Sequence, residues 1–210
     1  MKMRFQVIKV TCLLLLLSLA ILPANAQFSV GARAGANLAT EPVPDLYHVF
    51  LARPYFGLFG QYNVSTHFAL QLGLNYSGEG ANYKDEGTGD AYQVRHAFLT
   101  IPLMVQYKFS FGGYIEAGPQ FGILLSAKER MDDEPFADSK QYYKGTDFGA
   151  GVGGGYEFSH KTLRGFGFSA RYMRGISAIN KVDVVGSDIK TRVLSIGLTY
   201  RFIGNGSNKK

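Results

Sequence analysis

Alternation of apolar and polar residues is the feature that most constrains the fold of this chain. From Phe68 to Tyr76 every second residue is leucine or aromatic, and the residues between them are alanine, glutamine, glycine and asparagine. The segment from Arg192 to Phe202 repeats this period of two. Such a period places successive side chains on opposite faces of a β-strand, whereas an amphipathic helix needs a period near 3.6. The alternation therefore predicts an all-β protein.

Eight segments of this kind follow one another along the chain. The predicted strands cover residues 28–37, 54–64, 68–77, 93–108, 113–125, 147–158, 163–174 and 191–202. Tight turns at 65–67, 109–112 and 159–162 alternate with long polar loops at 38–53, 78–92, 126–146 and 175–190. An even number of strands with this alternation of connections is typical of outer-membrane barrels. The prediction is an eight-stranded antiparallel up-and-down transmembrane β-barrel with short periplasmic turns and long extracellular loops.

Two features predict irregular strands. Phe59 interrupts the alternation of the second strand, which is the least clear of the eight. Pro102 and Pro119 lie inside the fourth and fifth strands. Because proline cannot donate a hydrogen bond to a ladder, bulges or gaps are expected there.

A soluble eight-stranded barrel of the lipocalin type is the structural alternative, and it would have its apolar face inside. Beyond residue 26, the lysines all fall in predicted loops, turns, the C-terminal tail or strand ends. A lipid-facing wall requires this, because a lysine at the bilayer midplane costs about 2–4 kcal/mol. Gly149, Gly151, Gly153 and Gly155 recur on the other face of the sixth strand, which suits the crowded interior of a narrow barrel. Both observations favour the membrane barrel.

Aromatic residues cluster near the predicted short turns and the C-terminal end. They are Tyr62, Phe68, Tyr107, Phe109, Tyr156, Phe158, Tyr200 and Phe202. Aromatic rings are enriched at the level of the lipid headgroups. They therefore predict a girdle at the periplasmic interface.

The N-terminus has the pattern of a secretory signal peptide. Lys2, Arg4 and Lys9 precede a 13-residue largely apolar run that ends before Pro23, and Ala24-Asn25-Ala26 follows. The run is too short to span a bilayer, for which about 20 residues are needed. The chain is thus divided into a signal peptide at 1–26, cleaved between Ala26 and Gln27, a barrel at 27–202 and a polar tail at 203–210.

Removal of this segment changes what the composition implies. Residues 1–26 hold three of the 22 basic residues and none of the 16 acidic ones, so the formal net charge falls from +6 to +3. That charge is too small to indicate nucleic-acid binding. The only cysteine, Cys12, also lies in this segment, so thiol chemistry and cysteine metal ligation are excluded for the processed chain.

Six charged residues are predicted to share the barrel interior. Strand parity turns them inward: Arg33, Arg171 and Arg201 with Glu116, Asp147 and Glu157. Unpaired charges in so narrow a space would be costly, so they are expected to form salt bridges. This interior polar network is expected to block a wide channel.

The remaining candidate motifs do not predict catalysis, a cofactor or a metal. Of the histidines, His48, His67 and His160 fall in loops or turns, while His96 is predicted to point inward without an obvious set of partners. Residues 149–154 match GxGxxG, but they continue a strand instead of opening a helix. The acidic residues of the third loop, Asp132, Asp133, Glu134 and Asp138, lack calcium-loop spacing.

The order of several short motifs resembles the PorT-like outer-membrane barrel proteins of the Bacteroidetes. The matching pieces are Gly31-Ala-Arg-Ala-Gly35-Ala-Asn37, Leu99-Thr-Ile-Pro102, Ala117-Gly-Pro119, Phe148-Gly-Ala-Gly151 and Tyr200-Arg-Phe202. The resemblance implies an integral outer-membrane protein and, for its named member, a link to protein secretion and gliding. It also implies that the insertion machinery reads the terminal aromatic, although eight residues follow Phe202 here.

The sequence thus predicts a non-enzymatic outer-membrane barrel that acts through its surface loops or a membrane partner. The expected partners are outer-membrane lipid, the barrel-insertion machinery and an envelope or secretion protein, but not nucleic acid. Two alternatives stay open, a lipid-modifying enzyme and a small-solute pore.

Overall fold

A computed structural model describes residues 27–42, 47–84, 91–132, 134–181 and 188–203. The predicted signal peptide and the tail from residue 204 onward lie outside the described residues, so the cleavage after Ala26 stays a prediction. Within the described ranges, no helix is both long and apolar enough to cross a membrane.

Eight long antiparallel strands form a closed ring. The long strands are β1 (Phe28–Thr40), β2 (Tyr47–Asn63), β3 (Phe68–Lys84), β4 (Ala91–Lys108), β5 (Gly113–Met131), β7 (Thr146–Glu157), β8 (Phe166–Gly175) and β9 (Arg192–Ile203). A ninth strand, β6 (Ala137–Asp138), has only two residues. Neighbours along the chain pair with each other, β5 pairs with β7, and the β1–β9 pairing closes the ring. The predicted fold class is confirmed. The short β6 pairs only with the outer end of β5 and stands outside the ring.

The two faces of each strand follow the predicted parity. In β3, Leu70, Leu72 and Leu74 are exposed on the outer surface, while Ala69 and Gln71 are buried inside. The same pattern holds in β8, where the aromatic residues Phe166, Phe168 and Tyr172 point outward. Because all eight strands present an apolar outer wall, this surface suits lipid rather than water.

The predicted aromatic girdle is present at the short-turn end of the barrel. Phe68 and Tyr107 meet edge to face with ring centroids 5.3 Å apart, and Tyr107 meets Phe109 at 5.1 Å. Tyr200 and Phe202 form a similar pair at 5.4 Å. Phe68–Tyr107 joins β3 to β4, and Phe166–Tyr200, with centroids 4.7 Å apart, joins β8 to β9, so the rings form a band at one interface.

Strands β1 to β5 extend further toward the long-loop end than predicted. They include residues 38–40, 47–53, 78–84, 91–92 and 126–131, for which the sequence predicts loops. Above the lipid the outer face of a strand meets polar surroundings, whereas inward side chains such as Ala81 and Tyr83 are apolar and buried, so the pattern of apolar residues outside and polar residues inside no longer holds although ladder pairing continues. The wall formed by β2 to β5 is therefore longer than the wall formed by β7, β8, β9 and β1.

Phe59 does not interrupt β2, contrary to the prediction. Its side chain points into the barrel and is 5% exposed. Its cross-strand partner is Gly31, and a Cβ on that glycine would lie 2.3 Å from the ring tip of Phe59. The ring thus occupies space that glycine leaves free, and alternation is preserved.

The two prolines have the predicted effect on the ladders. Pairing between β3 and β4 stops after Leu72 and Leu103 and resumes at Asn75 and Thr100, which leaves Pro102 out. Pairing between β4 and β5 likewise passes over Pro119. The gaps coincide with the missing proline donors.

Candidate functional site: the barrel interior and its cap

A polar network centred on one ion pair fills the middle of the barrel. Two nitrogens of the Arg171 guanidinium, Nε and Nη2, each lie 2.8 Å from Glu116 Oε1, and Nε donates a hydrogen bond to it. Gln106 Nε2 donates to the second carboxylate oxygen at 2.9 Å. The side chains of Arg171 and Glu116 are 8% and 0% exposed, so the pair is removed from bulk solvent. Each carboxylate oxygen therefore has a donor, as a buried charge requires.

Arg33 joins this network without a carboxylate of its own, which corrects the prediction of three ion pairs. It donates to Gln71 Oε1, and Gln71 Nε2 donates in turn to Gln61 at 3.3 Å. The Arg33 guanidinium also lies over the Phe59 ring, 4.8 Å from its centroid. No carboxylate of the described residues lies within 4 Å of it. Amide oxygens and a ring face replace the expected salt bridge, which alternation alone does not reveal.

A second ion pair lies at the short-turn end of the barrel. Arg201 bonds Glu157, and Lys108 Nζ lies 3.8 Å from the other oxygen of that carboxylate. All three side chains are partly exposed. This group thus forms a wet rim beneath the central network.

Asp147 has no cationic partner among the described residues, which is the second correction. Its carboxylate accepts hydrogen bonds from the Ser177 hydroxyl at 2.9 Å and the Thr191 hydroxyl at 3.3 Å. It lies at the long-loop end of β7, and both hydroxyls belong to the connection between β8 and β9. Asp147 therefore anchors this loop instead of joining the central network.

Two buried glutamates above the network were missed by the sequence analysis. Glu41 lies 2.7 Å from Nδ1 of His96, and the histidine is 0% exposed. Glu79 is buried and accepts a hydrogen bond from Ser77 at 2.8 Å. Both residues keep the odd-numbered parity of the inward residues before them, so longer strands in the prediction would have placed them inside. His96 does point inward as predicted, but Glu41 gives it a partner.

An apolar cluster closes the barrel above these glutamates. It contains Ala81, Tyr83, Val94, Phe98, Leu124, Ala127, Tyr143 and Ile179. The first six come from the outer parts of β3, β4 and β5, whereas Tyr143 and Ile179 come from the third and fourth long loops. Loop side chains therefore plug the outer opening.

These two loops are joined into one unit, which we call the cap and define as residues 137–145 and 176–181. Lys144 N donates to Ile179 O at 2.7 Å, and Lys181 N donates to Tyr142 O at 2.9 Å. Tyr143 also forms a β-bridge with Asn180. Backbone hydrogen bonds thus hold the two loops together across the opening.

Tyr143 fixes the cap to the wall of the barrel. Its hydroxyl donates to Glu129 Oε1 at 2.7 Å, and its ring meets His96 edge to face with centroids 4.3 Å apart. Burial raises the pKa of the Tyr143 phenol well above its usual range, and the charge of Glu41 adds to this effect. The phenol therefore stays protonated and remains a donor to Glu129.

A small polar cavity of about 20 Å³ remains between the central network and the cap. Its lining includes Arg33, Arg171, Glu79 and Thr100. A space of this size holds about one water molecule. Among the described residues, no group of three or more histidine, cysteine, aspartate or glutamate side chains is placed to hold a metal ion.

The ring of eight strands, the apolar outer wall and the filled interior define an outer-membrane β-barrel. Residues 23–181 match the family described as outer membrane protein beta-barrel domain, and the chain belongs to this family. The protein is accordingly located in the cell outer membrane. The match does not confirm the finer assignment to the PorT-like group that the motifs resemble.

Solved structures of other outer-membrane proteins are similar to this chain. Neisserial surface protein A is 16% identical over 83% of this chain and 97% of its own, with a TM-score of 0.46. Ail, the attachment invasion locus protein of Yersinia pestis, in complex with the heparin analogue sucrose octasulfate, is 14% identical over 84% and 98%, with a TM-score of 0.45. Outer membrane protein W of E. coli is 18% identical over 84% and 98%, with a TM-score of 0.42. No curated protein matches the chain.

Proposed function

We propose that this protein is a closed, non-conducting barrel that acts by binding another envelope component at its cap. The observation that carries the proposal is the insertion of Tyr143 and Ile179 into the outer opening by two loops that are hydrogen-bonded to each other. A loop that only connected strands would not need to be anchored in this way. The anchoring gives the cap a defined shape before any partner arrives, which lowers the entropic cost of binding.

The outer side of the cap offers groups suited to a protein partner. Tyr142 is 50% exposed, although its neighbour Tyr143 is buried. Lys140, Gln141 and Lys144 are exposed around it. Tyrosine is enriched in protein interfaces, whose rims are polar, so Tyr142 is the residue of the cap best suited to contact a partner.

The motifs shared with PorT-like proteins support a more specific partner. We place the proposed partner among the proteins of secretion or envelope assembly, because the resemblance implies that role. The cap is the surface through which such a protein would be reached from the outside of the cell.

The buried position of His96 supports a non-catalytic role. Its Nδ1 faces Glu41, but its Nε2 has no hydrogen-bond partner in the described part of the chain. A histidine that activates a hydroxyl nucleophile needs that hydroxyl within hydrogen-bond reach of its second nitrogen. A lipid substrate would also have to pass through the barrel wall to reach it.

Photo-crosslinking in living cells tests the proposed role of the cap. A crosslinking amino acid at Tyr142 should give a discrete protein adduct, whereas the same group at Ser159, exposed at the short-turn end, should not give that adduct. Tyr143→Ala combined with Ile179→Ala should abolish the adduct while the barrel still inserts, because the cap loses both side chains that anchor it. An undiminished adduct in this variant, or the same adduct from both positions, would contradict the proposal.

A further inference from the structure

Four cations form a cluster on the outer surface of the long wall, which we call the outer basic cluster: Arg53, Arg95, Lys128 and Arg130. Arg95 on β4 is the direct cross-strand partner of Lys128 on β5. Arg130 lies two residues further along β5 and pairs with Gln93. Because Val94 and His96 on either side of Arg95 are buried inside the barrel, Arg95 itself points outward.

The cluster lies just above the lipid-facing surface. Tyr76, Leu99 and Ile123 form one row of cross-strand partners on the outer wall, and Arg95 and Lys128 lie in a row four residues beyond Leu99 on β4. Four residues span about 13 Å along a strand, or roughly 10 Å in height for a strand tilted by about 40°. This is the depth of lipid headgroups rather than of hydrocarbon or of distant solvent.

One glycine and one aromatic ring bring the guanidinium groups together. A Cβ on Gly78 would lie 2.9 Å from Cβ and 3.2 Å from Nε of Arg53, so the Arg53 side chain crosses the space that this glycine leaves free. The ring of Phe136 lies 4.0 Å from the Arg95 guanidinium carbon and 5.0 Å from that of Arg130. The ring orients both guanidinium groups without neutralising either of them.

The charge of the cluster is only partly balanced within the described protein, where Asp138 on β6 is the cross-strand partner of Lys128 but forms no salt bridge with it. No carboxylate of the described residues lies within 4 Å of any of the four cations. Arg95 Nε donates to the neutral Gln93 Oε1 at 2.9 Å, and Arg53 Nε has no hydrogen-bond partner in the described part of the chain. Neighbouring like charges repel one another, so the arrangement is favourable when an anion lies between them.

We propose that the outer basic cluster binds the phosphate groups of a phosphorylated lipid in the outer leaflet. Arginine is suited to phosphate because its planar guanidinium donates two parallel hydrogen bonds to it. The apolar wall directly below would contact the acyl chains of the same lipid, so one molecule would satisfy both surfaces. This site adjoins the cap, because Lys128 pairs with Asp138 of the cap, but the proposed lipid binding does not depend on the function proposed for the cap.

Lipid binding by the purified protein in detergent provides the test. Native mass spectrometry would compare bis-phosphorylated lipid A with dephosphorylated lipid A as probes. We expect the parent protein to bind the phosphorylated lipid at least about tenfold more tightly, a ratio that a single net charge-assisted hydrogen bond accounts for. Arg95→Gln combined with Arg130→Gln should remove most of this preference, and Arg95→Lys with Arg130→Lys should retain part of it.

A control variant carries the same change in net charge elsewhere. Lys144→Gln with Arg164→Gln alters exposed cations of the cap and of the short-turn end and should leave the preference unchanged. Heat-modifiable electrophoretic mobility would verify that every variant is folded. Equal binding of both lipids by the parent, or equal loss in the cluster and control variants, would overturn the proposal. Displacement of the lipid by inorganic phosphate at equal concentration would overturn its assignment to a lipid.

Discussion

Arg171→Ala should lower the free energy of unfolding by about 3–5 kcal/mol, the typical cost when a buried charge loses its partner. The substitution leaves the Glu116 carboxylate inside the barrel with only Gln106 to donate to it. Outer-membrane insertion should persist, because the apolar outer wall is unchanged. Denaturant titration of protein refolded in micelles measures the loss.

Arg201→Ala is the matched control for this prediction. Arg201 also pairs with an inward carboxylate, but both partners are partly exposed at the barrel rim. Exposed pairs contribute about 0–1 kcal/mol, so its removal should cost far less. A similar loss for the two variants would show that the Arg171 pair is solvated and that the interior is not closed at that level.

Leu72→Arg should destabilise the barrel by about 2–4 kcal/mol, the cost of a cation near the bilayer midplane. Leu72 is 54% exposed on the outer surface at the middle of the apolar part of β3. Leu72→Ala should cost much less, because no close-packed protein core surrounds the side chain. Refolding into micelles followed by denaturant titration measures both effects.

Phe50→Arg provides the comparison at an exposed position beyond the lipid-facing rows. Phe50 is exposed, but its cross-strand partner is Ala81, which places it above the lipid-facing rows. An arginine there meets water or headgroups and should be tolerated. Equal penalties for Arg and Ala at position 72, or for Arg at positions 50 and 72, would contradict the assignment of the outer wall to lipid.

The membrane-spanning half of the barrel could be predicted because lipid imposes a simple rule on it. Residues such as Leu70 and Leu72 must be apolar where they face hydrocarbon, and Gln71 between them faces a polar interior. This contrast gives the period of two from which the strands and the inward position of Arg171 were inferred. The same parity turns Glu116 inward, but the structure is needed to show that Glu116 is the partner of Arg171.

The outer half could not be predicted in the same way, because its strands leave the lipid. The outer part of β5, with Lys128, Glu129 and Arg130, has no apolar alternation, so the sequence predicts a loop there. The pairing of Glu41 with His96 joins residues 55 positions apart, and the cap depends on contacts between two separate loops. Such contacts depend on the closed ring itself, and no local pattern encodes them.

Arg33 shows that strand parity does not predict the partner of an inward side chain, even in the membrane-spanning part of the barrel. Alternation turns it inward correctly, but it does not state which group lies opposite. In the structure Arg33 contacts the amide oxygen of Gln71 and the ring of Phe59, whereas charge balance alone predicts a carboxylate. The sequence pattern therefore identifies inward charged residues such as Arg33 better than it identifies the groups with which they pair.

The central claim, that the barrel is closed, is tested most directly by the conductance of the purified parent protein in planar lipid bilayers. The central network and the cap leave a cavity of only about 20 Å³ between them, far from a continuous water column. We predict no steady conductance above that of the lipid alone, under conditions in which a porin inserted by the same procedure conducts. Large, stable and ion-selective currents from the parent protein would contradict the closed barrel and favour a small-solute pore.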